Sequence, residues 1–350
     1  MAEALLSPAP RSILVINVCR IGDTLLATPA LRALARAWPE AQITVLGHPK
    51  RMEVLQHVPW LASVGAITKN SARWRGRLTG PQHDLALVYG FDEALVAYAL
   101  RVARRVVAFR QRDEALNRRL LRVVEVPAFQ SAHSVRVALQ LTDALGVPHA
   151  GYRIASRVTE AETAWADERL RAIDAAARGP WIGLQVASFP TKAYRDWPVG
   201  HFLELARRMR ARWQGAHFLI FGGPDDRART GWLARELGTG CTVLAGELSL
   251  RQTAALMSRT QLYVGVDTGP THMMSSFDIP LVALYHCYSP SRLIGALEHP
   301  CFYPVDHPRP HGCAIDTPMA EISVEAVFAA VERALHEHPR MYPSMHPSAP

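Results

Sequence analysis

The sequence predicts an α/β protein with two Rossmann-like domains, and three observations carry that prediction. Short apolar runs of strand length alternate with stretches of helical period, as parallel sheets covered on both faces require. The alternation stops between about residues 151 and 179, where the chain is polar and helical, and then begins again. A length of 350 residues, 49% of them apolar, exceeds what one hydrophobic core usually holds.

The elements follow in order. Residues 13–18 are a continuous apolar run, followed by Arg20-Ile21-Gly22-Asp23 and a helical pattern over 24–38 with Leu31, Leu34 and Trp38 on one face. Further strands are expected at 43–46, 84–89 and 106–109, with a helix at 92–100 between the last two. A helix at 135–145 stops at Gly146, with Pro148 beyond. A helix over 159–177 fills the polar interval. Strands then recur at 181–186, 218–221, 243–244, 262–266 and 281–285, separated by helices at 199–213, 226–237 and 250–257. Ser323 caps a last helix whose apolar face is Val324, Val327, Phe328, Val331 and Leu335. The resulting boundaries are a first Rossmann-like domain over 11–155, a helical connection over 156–179, a second such domain over 180–338 and a disordered tail over 339–350, where Pro339, Pro343, Pro347 and Pro350 fall.

In open parallel sheets ligands bind beyond the carboxyl ends of the strands. Four polar loops stand there: residues 20–23, 188–196, 222–225 and 267–272. The last is the most informative. Strand, Gly269-Pro270 turn and apolar helix together make an anion site, because the unpaired N–H groups and the helix dipole favour negative charge. Asp267 and His272 flank the turn and suit a sugar hydroxyl and a diphosphate oxygen; the alternative is that Asp267 caps the turn and His272 packs. Gly222 and Gly223 allow close approach of a ligand. None of the loops is a G-x-G-x-x-G, which argues against a dinucleotide dehydrogenase.

Composition narrows the setting. The formal charge is +8, and it is concentrated in the first half. Arg101, Arg104, Arg105, Arg110, Arg112, Arg118, Arg119 and Arg122 are opposed there only by Asp113 and Glu114; further clusters are Lys69, Arg73, Arg75, Arg77 and His48, Lys50, Arg51. Such clusters suit a phosphorylated lipid, an acidic membrane surface or nucleic acid, or else are solvated helix faces. Few aromatics accompany them and no nucleic-acid-binding module is visible, so no nucleic-acid partner is expected. Apolar runs end before the roughly 18 residues that a membrane span needs, and residues 1–10 carry no secretory signal, so a soluble, cytoplasmic protein is expected. Five cysteines, an odd count without tight pairing, fit a reducing compartment better than a disulfide framework. His299, Cys301, His307, His311 and Cys313 collect metal-capable side chains, but their spacing matches no standard zinc module, and the alternative is a solvated loop.

Taken together, Arg20-Ile21-Gly22-Asp23-Thr24-Leu25, Trp197-Pro198 after a basic loop, Phe221-Gly222-Gly223-Pro224-Asp225 and Asp267-Thr268-Gly269-Pro270-Thr271-His272 resemble the ADP-heptose:lipopolysaccharide heptosyltransferases, glycosyltransferase family 9, in order and spacing from Ile13 to Leu335. The resemblance implies the GT-B architecture: α/β, two Rossmann-like domains with parallel sheets facing across a cleft, the first binding the acceptor and the second the nucleotide sugar. It also implies inversion at the anomeric carbon without a metal. ADP-heptose is then a substrate, no cofactor is needed, and the partners are the nucleotide-sugar donor and an anionic glycolipid acceptor at the cytoplasmic surface of the inner membrane, met peripherally.

Residue by residue, Asp23 becomes the general base that takes the acceptor proton; read without the resemblance it is a helix N-cap. Asp267, Thr268, Gly269 and His272 match the diphosphate-binding turn. Where the family carries a lysine two positions before the tryptophan, this chain has Arg195, with Lys192 three residues earlier and a loop about two residues longer, so either cation meets the phosphates. Ser188 stands near the sugar, and Asp225 and Leu248 near ribose and adenine. Arg20, Lys50, Arg51 and Arg73 are the candidate acceptor contacts. Two other readings stay open: a same-fold transferase using another sugar nucleotide, and a non-catalytic anion-binding adaptor.

Overall fold

The computed structural model of the chain describes residues 6–128, 130–174 and 179–338. The tail expected over 339–350 and the last residues of the helix expected over 159–177 lie outside the described residues. The chain divides into two compact units between Arg157 and Val158.

The first unit is built on six parallel strands: β1 (Ser12–Asn17), β2 (Gln42–Gly47), β3 (Ser63–Ala66), β4 (His83–Tyr89), β5 (Ala103–Phe109) and β6 (Arg122–Val124), in the order β3-β2-β1-β4-β5-β6. The second repeats the plan with β7 (Trp181–Gln185), β8 (His217–Phe221), β9 (Cys241–Val243), β10 (Leu262–Val266), β11 (Leu281–Tyr285) and β12 (Phe302–Asp306), in the order β12-β11-β10-β7-β8-β9. Both sheets are therefore the doubly wound Rossmann-like type. The central strands are buried on both faces, which is why Ile13, Leu14, Val15 and Ile16 read as an unbroken apolar run rather than an alternation. Each such side chain contributes roughly 1.5–3 kcal/mol of burial.

Several details differ from the sequence expectation. The helix expected over 24–38 is two helices, Ile21–Leu26 and Thr28–Ala37. Pro29, at the start of the second, has no N–H, and its ring would collide with the Leu25 carbonyl in a continuous helix; the Thr28 hydroxyl donates to that carbonyl instead, at 2.6 Å. Strands β3, β6 and β12 escaped the pattern reading. β3 is four small, partly exposed residues, β6 is three residues long, and β12 contains Pro304, which only a sheet edge tolerates.

β12 also corrects two expectations about the cysteines. Residues 299–313 are not simply a solvated loop, since Cys301, Tyr303, Val305 and His307 are buried. By pairing beside β11, β12 returns the following loop to the end of β11, where Gly312 N–H donates to the Cys287 carbonyl at 3.2 Å and Cys287 and Cys313 form a disulfide with their Cα atoms 5.7 Å apart. The odd count concealed a pair 26 residues apart. The metal-capable side chains of that segment are dispersed by the same topology. Cys313 is bonded to Cys287, Cys301 lies beside His338, His299 Nε2 donates to Phe277 O, and His307 Nε2 donates to Pro318 O. His286, Cys287 and Cys313 do cluster, but the two sulfurs are joined, and His286 already donates through Nε2 to Thr317 O and accepts at Nδ1 from Tyr288 N–H. Among the described residues no helix is long and apolar enough to cross a membrane.

Candidate active site

Each sheet reverses its strand order between its first and fourth strands, β1 and β4 in one unit, β7 and β10 in the other. Ligands bind at such a switch point, outside the carboxyl ends. In the second unit that point lies between the loop after β7, which carries Ser188, Lys192 and Arg195, and the turn after β10, which carries Asp267, Thr268, Gly269 and His272.

The β7 loop is shaped by one carboxylate. Asp196 Oδ1 accepts from Ser188 N–H at 2.7 Å and lies 2.7 Å from the Ser188 hydroxyl, which is equally close to Lys192 O; Asp196 Oδ2 meets Arg229 at 2.6 Å. The buried Ser188 therefore closes the loop. Trp197 pins its end, with 1% of its surface exposed and its indole N–H donating to Ile322 O at 2.8 Å. Between these anchors a short 3₁₀ segment, Pro190–Arg195, presents Lys192 and Arg195.

The two cations then part company. Arg195 Nη1 lies 2.7 Å from Asp267 Oδ2, and Nη2 is 3.4 Å from Ser289 Oγ on the loop after β11. Lys192 has no carboxylate within ion-pair distance among the described residues; its ammonium is 5.6 Å from the centre of the Tyr194 ring. Asp267 is 1% exposed, and His272 Nε2 is 3.3 Å from its other oxygen. Burial alone would raise the Asp267 pKa, but the Arg195 guanidinium, the His272 imidazole and the more distant Lys192 charge hold it below the usual carboxylate range. Asp267 is thus an ionised, oriented group. It does not cap the helix that follows, Gly269–Met274, whose N-cap is Thr268; that helix starts two residues before Thr271, where the sequence placed it. Thr271 ties the turn to the strand through its hydroxyl, which donates to Val266 O at 2.6 Å.

The remaining donor candidates stand on neighbouring loops. Asp225 is exposed in the turn Pro224–Asp226 after β8, while the adjacent Asp226 accepts from Gly223 N–H at 2.8 Å. At Gly222 a Cβ would come within 2.9 Å of Asp226 Cβ and 3.2 Å of Ala245 Cβ, so the close approach there is of protein to protein. Leu248 is half-buried after β9, next to Ser249, the cap of helix Leu250–Met257. Tyr194 packs edge-on against His286 and Tyr288, so the loop after β11 completes the wall. Sequence reading passed over that loop, although His286 and Ser289 sit, like the other candidates, just past a strand end. A cavity of about 600 Å³ lies elsewhere in the unit, along residues such as Asp174, Trp181 and Gln261 at the amino ends of the strands, and shares none of these groups.

In the first unit Asp23 occupies the first turn of helix Ile21–Leu26 with its side chain exposed; Arg20, not Asp23, holds the cap position. Burial, and after it the Asp23 carboxylate, push the Cys19 thiol up to about 12. Arg51 Nη1 donates to Cys19 O at 2.9 Å, and Arg20, Lys50 and Arg73 are exposed. β3, β2 and β1 are neighbours, and the segments carrying Arg73, Lys50 with Arg51, and Arg20 with Asp23 follow them respectively.

Comparison with known proteins bears on the family and the fold. A sequence model described as glycosyltransferase family 9 (heptosyltransferase) matches residues 77–299. The chain is 25% identical over 284 residues to lipopolysaccharide heptosyltransferase 3 of Escherichia coli, covering 75% of this chain and 80% of that one. Its fold is similar to that of a family 9 glycosyl transferase from Veillonella parvula, with a TM-score of 0.82, 20% identity and coverage of 95% and 100% of the two chains. It is also similar to E. coli ADP-heptose lipopolysaccharide heptosyltransferase II, with a TM-score of 0.76, 21% identity and coverage of 94% and 99%.

Proposed function

We infer the reaction from the premise that this chain belongs to glycosyltransferase family 9, the heptosyltransferases, and is a glycosyltransferase of GT-B-like fold. It transfers heptose from ADP-heptose to a lipopolysaccharide core or related anionic acceptor, with inversion and without a metal. The observation that carries this reading is the Arg195–Asp267–His272 group beside the Lys192 loop, at the switch point of the second sheet.

The leaving group is a diphosphate, whose negative charge grows as the glycosidic bond to it breaks. Arg195 already neutralises Asp267, so Lys192 is the cation available to that charge, helped by N–H groups in the first turn of Gly269–Met274. Asp267, buried and held ionised, fixes Arg195 and His272 beside the donor site. Asp225 and Leu248 serve ribose and adenine, and Ser188 acts by holding the loop. The acceptor hydroxyl attacks the anomeric carbon as Asp23 takes its proton, the carboxylate then being a carboxylic acid and the diphosphate leaving with the electron pair. Arg20, Lys50, Arg51 and Arg73 meet the phosphates of the acceptor, a glycolipid that the enzyme reaches peripherally at the cytoplasmic membrane face.

The test is Asp23→Asn with ADP-heptose and a phosphorylated core acceptor. Donor binding, read as a thermal shift by ADP and ADP-heptose, should persist while transfer falls by at least about 100-fold, the lower range for a lost general base. Unchanged transfer, or a larger thermal shift with UDP- or GDP-sugars than with ADP-heptose, overturns the reading.

A further inference from the structure

Residues 54–83 contain Lys69, Arg73, Arg75 and Arg77 and not one Asp or Glu. After β3 the chain makes the short helix Lys69–Ala72, capped reciprocally by Thr68 and Ser71, and then runs across the surface with Trp74 71% and Leu78 99% exposed. This backbone is held in place. Arg101, on helix Glu93–Val102, donates to Ala72 O and Arg75 O; Arg75 Nη1 donates to Ala66 O at 2.8 Å; Gly76, at φ +73°, lies against Val102 and Tyr98. The Arg77 guanidinium sits 4.7 Å from the centre of the Trp74 ring.

Two large apolar side chains thus stand in water on a tethered segment, ringed by cations. Scattered exposed hydrophobics are ordinary. Here the charge around them is one-sided, and the two Arg-rich stretches of the sequence meet. Arg101 is depressed first by burial and then by the like charges of Arg77 and Arg119. A surface that collects cations around a Trp and a Leu suits an anionic bilayer, where Trp settles at headgroup level and each nearby Arg or Lys adds to the attraction.

We propose that the segment from Trp74 to Leu78, with Arg101 and Arg119, is a docking surface for an anionic phospholipid bilayer, Trp74 and Leu78 entering the headgroup boundary while Arg75, Arg77, Arg101 and Arg119 meet lipid phosphates. It rests on the reading that the acceptor is a membrane glycolipid and supplies the surface by which the enzyme reaches it.

The experiment uses the full-length protein and vesicles free of any sugar acceptor, made of phosphatidylcholine alone or with phosphatidylglycerol. The protein should sediment with the phosphatidylglycerol vesicles only, less at high salt, with a blue shift of tryptophan emission. Trp74→Ser/Leu78→Ser should weaken that binding by about tenfold or more, the equivalent of burying one large apolar side chain, while its circular dichroism, thermal midpoint and transfer to a lipid-free phosphorylated core oligosaccharide stay at wild-type values. Equal binding to both vesicle types, undiminished binding by the double variant, or loss of transfer to the lipid-free acceptor overturns the proposal; the last would make the patch an acceptor subsite. Vesicle binding without heptose transfer by the wild type would sink the proposed reaction and leave the docking surface standing, and transfer without vesicle binding would do the reverse.

Discussion

Replacing Arg195 by Met removes the guanidinium that lies 2.7 Å from a carboxylate only 1% exposed. At that distance the gross attraction is roughly 6 kcal/mol for an effective dielectric constant of about 20. Much of it repays desolvation, and breaking one side of a buried pair costs about 3–5 kcal/mol. The His272 imidazole, 3.3 Å from the other Asp267 oxygen, still faces the carboxylate and recovers part of the loss, so the lower end, about 3 kcal/mol, is expected. In a unit of this size that lowers the thermal midpoint by roughly 6–12 °C. Asp267→Asn should cost less, because Arg195 is 15% exposed and reaches water. The double variant Arg195→Met/Asp267→Asn should regain part of the Arg195→Met loss, giving a coupling of about 1–3 kcal/mol.

The pH dependence has a definite sign. In the wild type the Asp267 pKa is depressed, so its contribution is present above the unfolded carboxyl pKa and is lost as pH falls through the folded value. In Arg195→Met the same carboxyl, buried without its guanidinium, titrates above the unfolded value and gains stability as it protonates. The gap between variant and wild type should therefore narrow between about pH 7 and about pH 4. Urea unfolding of the four proteins of the cycle, followed by circular dichroism at both pH values, measures each quantity. Additive effects, or an Arg195→Met loss below about 1 kcal/mol, would refute the assignment of Arg195 to Asp267 and return it to the phosphates.

Two further outcomes are expected. Thiol titration of the denatured, unreduced protein should find three free cysteines, Cys19, Cys241 and Cys301, and five after reduction; Cys313→Ser should lower stability by about 3 kcal/mol for a loop of this length, and five free thiols before reduction would contradict the Cys287–Cys313 bond. Gly246→Ala should lower the unfolding midpoint, since the left-handed backbone at φ +69° costs a side chain about 1–2 kcal/mol and the new Cβ would also meet Pro224 Cα at 2.8 Å; an unchanged midpoint would show that the turn relaxes freely.

The candidate site was partly legible because its residues follow recognisable strands. Polar residues after buried apolar runs mark the carboxyl ends of parallel strands, and Asp23, Lys192, Arg195 and Asp267 all obey that rule. The choice between Lys192 and Arg195 was not legible. It depends on which side chain reaches Asp267 from a loop folded around Asp196, and no local pattern encodes that geometry. Ser188 misleads for the same reason, since a hydroxyl in a polar loop looks equally suited to a ligand and to its own loop's carboxylate.

The sequence by itself determined the class of fold and the position of the loops that carry chemistry, because burial on both faces imposes a continuous apolar run that survives in one dimension. It left three of the four sheet edges unread: β3, β6 and β12 are short or proline-bearing and take their conformation from the strand beside them. Only the tertiary structure decided strand order, the pairing of Cys287 with Cys313, the commitment of Arg195 to Asp267 and the meeting of the two Arg-rich stretches at Trp74. Each of these joins groups far apart in the chain, and their energies depend on distance and burial in space, which neighbours along the backbone do not report.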